Sequence, residues 1–378
     1  MNSQFSYALE APLNDESIAA LLPLPAQLDD VWIHGDALYC SGASPRGAAV
    51  VPDELRARGL RGTVGAEAAP TTVGDADATP VLTVIMSSGE IPRELASVLQ
   101  HWGVMPGRLR RLSAAGAPAQ VLELYLPGLA DTDRRGELQE LGQRWNADLA
   151  LMSSADKRPR RRLVAFDMDS TLIECEVIDE LAKRAGVGDA VAAVTARAMR
   201  GELDFRASFR ERMGKLRGLD SAVLEDIAAS LPVMAGAPRL LRSLAAQGHY
   251  TVILSGGFDY FARRLQQLLG VHEVHANCLE IRDGALTGEV VGEIVDGQRK
   301  VELLQSVARE QGIALADTIA VGDGANDLPM LHTAGLGVAF HAKPLVRQEA
   351  PHCVMHGGLD ALLYLLGLSD DQIRGDAS

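Results

Sequence analysis

The chain has 378 residues, 47% apolar and 23% charged, a profile that excludes disordered and fibrous chains and suggests two or three domains. Its 36 lysines and arginines against 50 aspartates and glutamates give a net charge of −14, too acidic for a general binder of phosphate backbones, so no nucleic-acid partner is expected. No apolar run reaches the ~18 residues of a bilayer span, and the start MNSQFSYALEAPLND has no signal-peptide pattern. Cys40, Cys175, Cys278 and Cys353 are scattered and form no CxxC pair, which points to reduced thiols in a cytoplasmic protein with no membrane contact.

In chain order, residues 1–78 are rich in Pro, Gly and Ala and declare no fold. VWIHGDALYCSG at 31–42 suggests a strand, and 61–80 reads as a loop or linker. Residues 79–153 are clearer. VLTVIM (81–86) predicts a buried strand, and 92–103 a helix with Leu95, Val98, Leu99 and Trp102 on one face. Strands near 105–112 and at 119–128, a helix over 134–145 and a strand at 147–152 complete a β-α-β-β-α-β, ferredoxin-like order. That order resembles the ACT family of small regulatory domains. Residues 154–162 are a basic linker. Lys157, Arg158, Arg160, Arg161 and Arg162 lack interleaved aromatics and read as a solvated connection rather than a nucleic-acid patch.

From 163 to 370 strands alternate with helices, which predicts an α/β domain with a parallel sheet. Its core spans 163–175 and 236–370, and a helical cap is inserted over about 176–235. Asp283-Gly284 between two alternating runs marks a β-hairpin within 279–290.

Three predicted strand ends carry chemistry. Asp167 and Asp169 follow LVAF, where two carboxylates can share one divalent cation. Placing both there is costly unless a cation or proton neutralises them. Ser255 and Gly256, with Gly257, follow YTVIL and offer a hydroxyl and open N–H groups to a phosphate. Asp323, Asn326 and Asp327 sit in GDGANDLPM after a third strand, with Lys300 upstream on a predicted helix. His352, Cys353 and His356 have no partner cluster of zinc-like spacing, and GxxxxGK[ST] is absent, so neither zinc nor ATP is expected.

DMDSTLIECEVIDELA, MRGELDFRASFRERM, LSGGF, VGDGANDLPML and AFHAKP together resemble the haloacid dehalogenase-like phosphatases, and within them the phosphoserine phosphatase family. The resemblance covers roughly 163–367. It implies Mg²⁺-dependent hydrolysis of O-phosphoserine through an aspartyl-phosphate, the last step of serine biosynthesis, in a homodimer. Asp167 is then the nucleophile and Asp169 the general acid and base. Asp167, the Asp169 carbonyl and Asp323 ligate the metal, with Asp327 nearby orienting metal water or Lys300. Ser255, Gly256, Lys300 and Asn326 hold the phosphoryl oxygens. Glu176 receives the substrate amine, Arg212 its carboxylate, and Met199 and Phe205 line the closed pocket. Transfer to a second alcohol such as homoserine, and a regulatory amino-acid-binding protein with a vestigial catalytic half, are the two rival functions.

Overall fold

The computed structural model describes residues 3–9, 15–22, 28–34, 37–42, 52–65, 78–114, 117, 119–157 and 162–375. Two compact units result: residues 1–159 with 361–376, and residues 160–360.

The N-terminal unit begins β1 (Ser3–Leu9), α1 (Asp15–Leu21), β2 (Asp30–His34), β3 (Ala37–Gly42), a helix over 52–57 (α2) and β4 (Gly62–Gly65). It continues β5 (Pro80–Met86), α3 (Leu95–His101), β6 (Arg108–Arg111), β7 (Gln120–Tyr125), α4 (Arg135–Trp145) and β8 (Ala147–Ser153). The β-α-β-β-α-β order therefore occurs twice, and the stretch with no declared fold is the first copy. One antiparallel sheet, β4-β1-β3-β2-β6-β7-β5-β8, holds both. The copies join where β2 pairs with β6, Val31 opposite Leu109, and Arg108 Nε donates to Asp30 Oδ1 at 2.9 Å beside the seam. The loop expected over 61–80 holds β4 at its start, and its stretch 66–77 lies outside the described residues.

In the second unit β9 (Leu163–Phe166) leads into four helices, α5 (Val177–Arg184), α6 (Gly188–Met199), α7 (Phe205–Lys215) and α8 (Val223–Ala229). The alternation resumes with α9 (Ala237–Ala246), β10 (Tyr250–Phe258), α10 (Asp259–Leu269), β11 (Glu273–Arg282) and β12 (Ala285–Val291). Then come α11 (Gly297–Glu310), β13 (Thr318–Gly322), α12 (Leu328–Thr333), β14 (Leu336–Phe340), α13 (Pro344–Glu349) and β15 (His352–Val354). The sheet order is β12-β11-β10-β9-β13-β14-β15, with every pairing parallel except the β11–β12 hairpin. All four residues of β9 are buried, as a central strand covered on both faces requires. Register then places the chemistry. Phe166 pairs with Ile253 on one side and Val321 on the other. Asp167, one residue further out, and Ser255 and Asp323, each two residues beyond the paired position, therefore emerge at the same carboxyl edge, where parallel sheets bind ligands.

After β15 the chain returns to the first unit as α14 (Ala361–Leu365) and α15 (Asp370–Gly375), although the α/β domain was expected to run to 370. Lys157 also departs from expectation, because it is buried rather than solvated. Its Nζ donates to Glu123 Oε1 at 2.8 Å and to the Leu365 carbonyl at 3.4 Å. The reason is Glu123 on β7, which is fully buried and needs a counter-charge. Arg158, Arg160 and Arg161 lie outside the described residues.

Candidate active site

Asp167 leaves β9 as a nearly buried carboxylate whose N–H donates to the Val321 carbonyl at 2.9 Å, an extension of the sheet ladder. Lys300 reaches it from the first turn of α11. That lysine is fully buried, and its Nζ donates to Asp167 Oδ1 at 2.7 Å and to Asp327 Oδ1 at 2.6 Å. Burial alone would favour the neutral amine, but the Asp167 and Asp327 charges outweigh it and hold the ammonium above its ordinary value. Asp327 is fixed in turn by the Gly324 N–H, at 2.9 Å from Oδ2.

Carboxylate oxygens of Asp167, Asp323 and Asp327 all lie within 4.8 Å of one another. Burial pushes Asp323 up to about 8, with the Asp167 and Asp327 charges adding to it, and Lys343, its Nζ 3.8 Å from Asp323 Oδ2, pulls back. Burial and then the Asp167 charge raise Asp327 to about 6, against the opposing pull of Lys300. Three buried acids facing one buried lysine leave an uncompensated negative charge with only oxygen donors, which is the environment a hard divalent cation fits. Gly322 is required here by close approach: a Cβ on it would lie 2.5 Å from the Asp327 carboxyl.

Asp169 is also nearly buried and accepts the Val177 N–H at 3.2 Å. Burial, followed by the charges of Glu176 and Asp167, holds its carboxyl well above the usual range. Glu176 precedes α5 and accepts from Ser170 Oγ at 3.2 Å; burial is the main cause of its raised pKa. Arg212 on α7 feels the charges of Glu176, Asp179 and Asp169, and burial lowers its pKa. Its Nε is buried with no hydrogen-bond partner, so it retains a donor for an anion.

Ser255, Gly256 and Gly257 lie at the same edge, in the irregular last stretch of β10 where its register with β11 shifts, a Ser-Gly-Gly turn within the strand. Ser255 is fully buried and accepts the Gly257 N–H at 2.9 Å. A Cβ on Gly257 would come within 2.6 Å of Asp169 Oδ2, and one on Gly256 within 3.0 Å of the Phe205 ring. Phe205 thus lies against the turn, stacked on Phe209 with centroids 6.2 Å apart. Asn326 is half-buried beside Gly324, where a Cβ on that glycine would meet Asn326 Oδ1 at 2.4 Å.

Met199 is not brought in. It ends α6 with 77% of its surface exposed, so it does not fill the pocket-lining place implied for it. Two residues went unread in the sequence. Lys343 follows a strand end in AFHAKP, a position that the strand-end rule would have flagged. Asn277 sits mid-strand in β11 with no motif around it. Its Nδ2 donates to the Gly256 carbonyl at 2.8 Å, and its Oδ1 accepts the Val295 N–H at 2.9 Å. One buried amide thereby braces both the Ser-Gly-Gly turn and the segment that leads into α11.

A parallel sheet with an acidic carboxyl edge, a buried lysine bridge and a Ser-Gly-Gly turn defines a haloacid dehalogenase-like hydrolase, and residues 164–332 match that family. The phosphoserine phosphatase of Streptomyces coelicolor is 42% identical over 287 residues, spanning 76% of this chain and 70% of that one. The unliganded structure of a probable phosphoserine phosphatase from Vibrio cholerae superposes with a TM-score of 0.63 at 31% identity, covering 81% of this chain and 91% of the other. A substrate-bound phosphoserine phosphatase complex superposes with a TM-score of 0.52 at 38% identity, over 54% of this chain and 98% of that one. The chain belongs to the phosphoserine phosphatase family. No described helix is long and apolar enough to cross a membrane.

Proposed function

We propose that the chain hydrolyses O-phosphoserine to serine and inorganic phosphate, with Mg²⁺ as its cation. The observation that carries the reading is the buried pair of carboxyl groups at the end of β9, Asp169 two residues from Asp167, with Lys300 Nζ donating to Asp167 Oδ1 at 2.7 Å. The Asp167 carboxylate attacks phosphorus and the bond to the serine oxygen breaks, leaving an aspartyl-phosphate. Asp169 gives its proton to the departing oxygen. As a carboxylate it then takes a proton from the water that attacks phosphorus, and phosphate leaves. Lys300, the Ser255 hydroxyl, the Gly256 N–H and Asn326 hold the phosphoryl oxygens as charge builds on them. Asp167, the Asp169 carbonyl and Asp323 would ligate Mg²⁺, which supplies charge neutralisation at the phosphoryl group. Asp327 orients Lys300.

Selectivity follows from the ends of the substrate. Glu176 receives the ammonium, and the unpartnered Nε of Arg212 gives a donor to the carboxylate. The helices α5–α8 act as the cap that closes over both. The N-terminal unit is read as a pair of ACT-like regulatory modules in a homodimer, supported by its doubled β-α-β-β-α-β order and by the sheet ending at β4 and β8.

The test is a turnover screen of phosphoserine, phosphothreonine, sugar phosphates and p-nitrophenyl phosphate, with and without Mg²⁺, alongside Asp167→Asn. Phosphoserine should lead the series, turnover should need the metal, and the variant should stay folded yet inactive. Retained activity in Asp167→Asn removes the nucleophile assignment, and a flat substrate series removes the specificity.

A further inference from the structure

Arg206 is the second residue of α7, next to Phe205, whose ring lies against Gly256. Its Nε donates to Oδ2 of Asp296, and its Nη2 lies 3.7 Å from Glu293 Oε1. Asp296 is the N-cap of α11. Its Oδ1 accepts the Arg299 N–H at 2.9 Å, and its carbonyl accepts the Lys300 N–H at 2.9 Å. One carboxylate therefore links the helix that carries Arg212 to the helix that carries Lys300.

The proposed chemistry uses neither side chain of this pair. Its setting suits a contact that opens and closes. The Arg206 side chain is 41% exposed and that of Asp296 16%, so water can replace either partner without stranding a buried charge. Beside it, an open groove of about 150 Å³ lined by Arg206, Phe209, Met213, Glu289 and Ile294 runs between α7 and the end of β12 with the segment that follows it. Phe209 and Met213 are buried on the inner face of α7, Phe209 against Phe258, and the ion pair adds to that apolar packing a polar tie from the N-terminal end of α7 to α11.

We propose that Arg206 and Asp296 form a clasp that keeps α7 closed over the Ser-Gly-Gly turn, which makes Arg206 a positioning residue for Phe205 and Arg212. The inference rests on the reading of α5–α8 as a substrate-closing cap. Opening the clasp lowers the fraction of molecules whose pocket is complete, and apparent affinity falls by that fraction.

A double-mutant cycle in the full chain with Mg²⁺ tests this, using Arg206→Gln, Asp296→Asn and both together. Asparagine caps a helix about as well as aspartate, so Asp296→Asn removes the charge without uncapping α11. Each single change should raise KM for phosphoserine about threefold to fivefold, the size expected of a partly exposed ion pair, with kcat within about twofold. The double variant should be no worse than either single, Arg206→Lys should recover most of the loss, and amides of Phe205–Lys215 should exchange hydrogen faster in both singles. Additive effects in the double variant, or unchanged α7 exchange in either single, would overturn the clasp. Coupled exchange without any preference for phosphoserine over p-nitrophenyl phosphate would instead sink the substrate reading and leave the clasp standing.

Discussion

Replacing Lys300 with methionine removes a fully buried cation at nearly constant volume, so the response reports charge rather than a cavity. Lys300 is the only buried positive group in contact with Asp167 and Asp327 among the described residues, at 2.7 and 2.6 Å. Without it the three clustered carboxylates lose their internal counter-charge. Breaking a buried pair costs on the order of 3 kcal/mol, which for a unit of this size lowers Tm by roughly 6–12 °C. The site recovers part of this by binding a proton. Asp327 already sits near 6 with Lys300 present, and losing the lysine pushes it further up. The folded variant then holds protons that the unfolded chain has released, so its deficit widens as pH rises. Turnover should fall about 10²-fold to 10³-fold, the usual cost of removing one transition-state donor. Thermal unfolding in EDTA at pH 5.5 and 8, with kcat on phosphoserine and p-nitrophenyl phosphate, measures both effects. Turnover within tenfold of wild type, with equal Tm at both pH values, would refute the bridging role.

The metal-free protein should itself lose stability as pH rises. Asp323 keeps its proton to about pH 8 when folded, whereas an unfolded aspartate is ionised above pH ~4. Stability is full below the lower value and lost through the upper one, by at most about 4 kcal/mol between pH 5 and 8 for one proton. Saturating Mg²⁺ should flatten that slope, and calorimetry with and without EDTA is the check; parallel pH profiles would rule out Asp323 facing the cation. Arg212→Ala should raise KM for phosphoserine at least about tenfold while hardly moving KM for p-nitrophenyl phosphate, since a charged hydrogen bond to carboxylate is worth roughly 1.5–3 kcal/mol. Equal shifts for both substrates would remove Arg212 from carboxylate binding. Asn277→Leu should weaken inhibition by inorganic phosphate about tenfold and cost about 1–3 kcal/mol of stability, because the Val295 N–H loses its acceptor. Unchanged phosphate inhibition would show that the Ser-Gly-Gly turn holds its shape without the brace.

Much of the acidic carboxyl edge was legible because its signals are local. Asp167, Ser255 and Asp323 each follow a short apolar run, and the end of a buried strand is where a polar side chain can be tolerated only for a purpose. The hairpin at Asp283-Gly284 and the helix α3 were readable for the same reason, since turn chemistry and periodicity act over a few residues. Met199 was less tractable, because family position says which side chain is near a pocket in some state but not how much water covers it.

The sequence by itself determined where strands end in acids and glycines, and that the second unit alternates strand and helix. Short-range sterics and hydrophobic period settle both. Only the tertiary structure decided that residues 3–65 repeat the plan of 80–153, because that repeat is visible through β2 pairing with β6 and not through any local pattern. It alone also brought Lys157 under Glu123, Asn277 under Gly256 and Arg206 onto Asp296, across separations of 34, 21 and 90 residues. Such contacts form once the sheets align and a buried polar group must find a partner, and no spacing along the chain records which partner that will be.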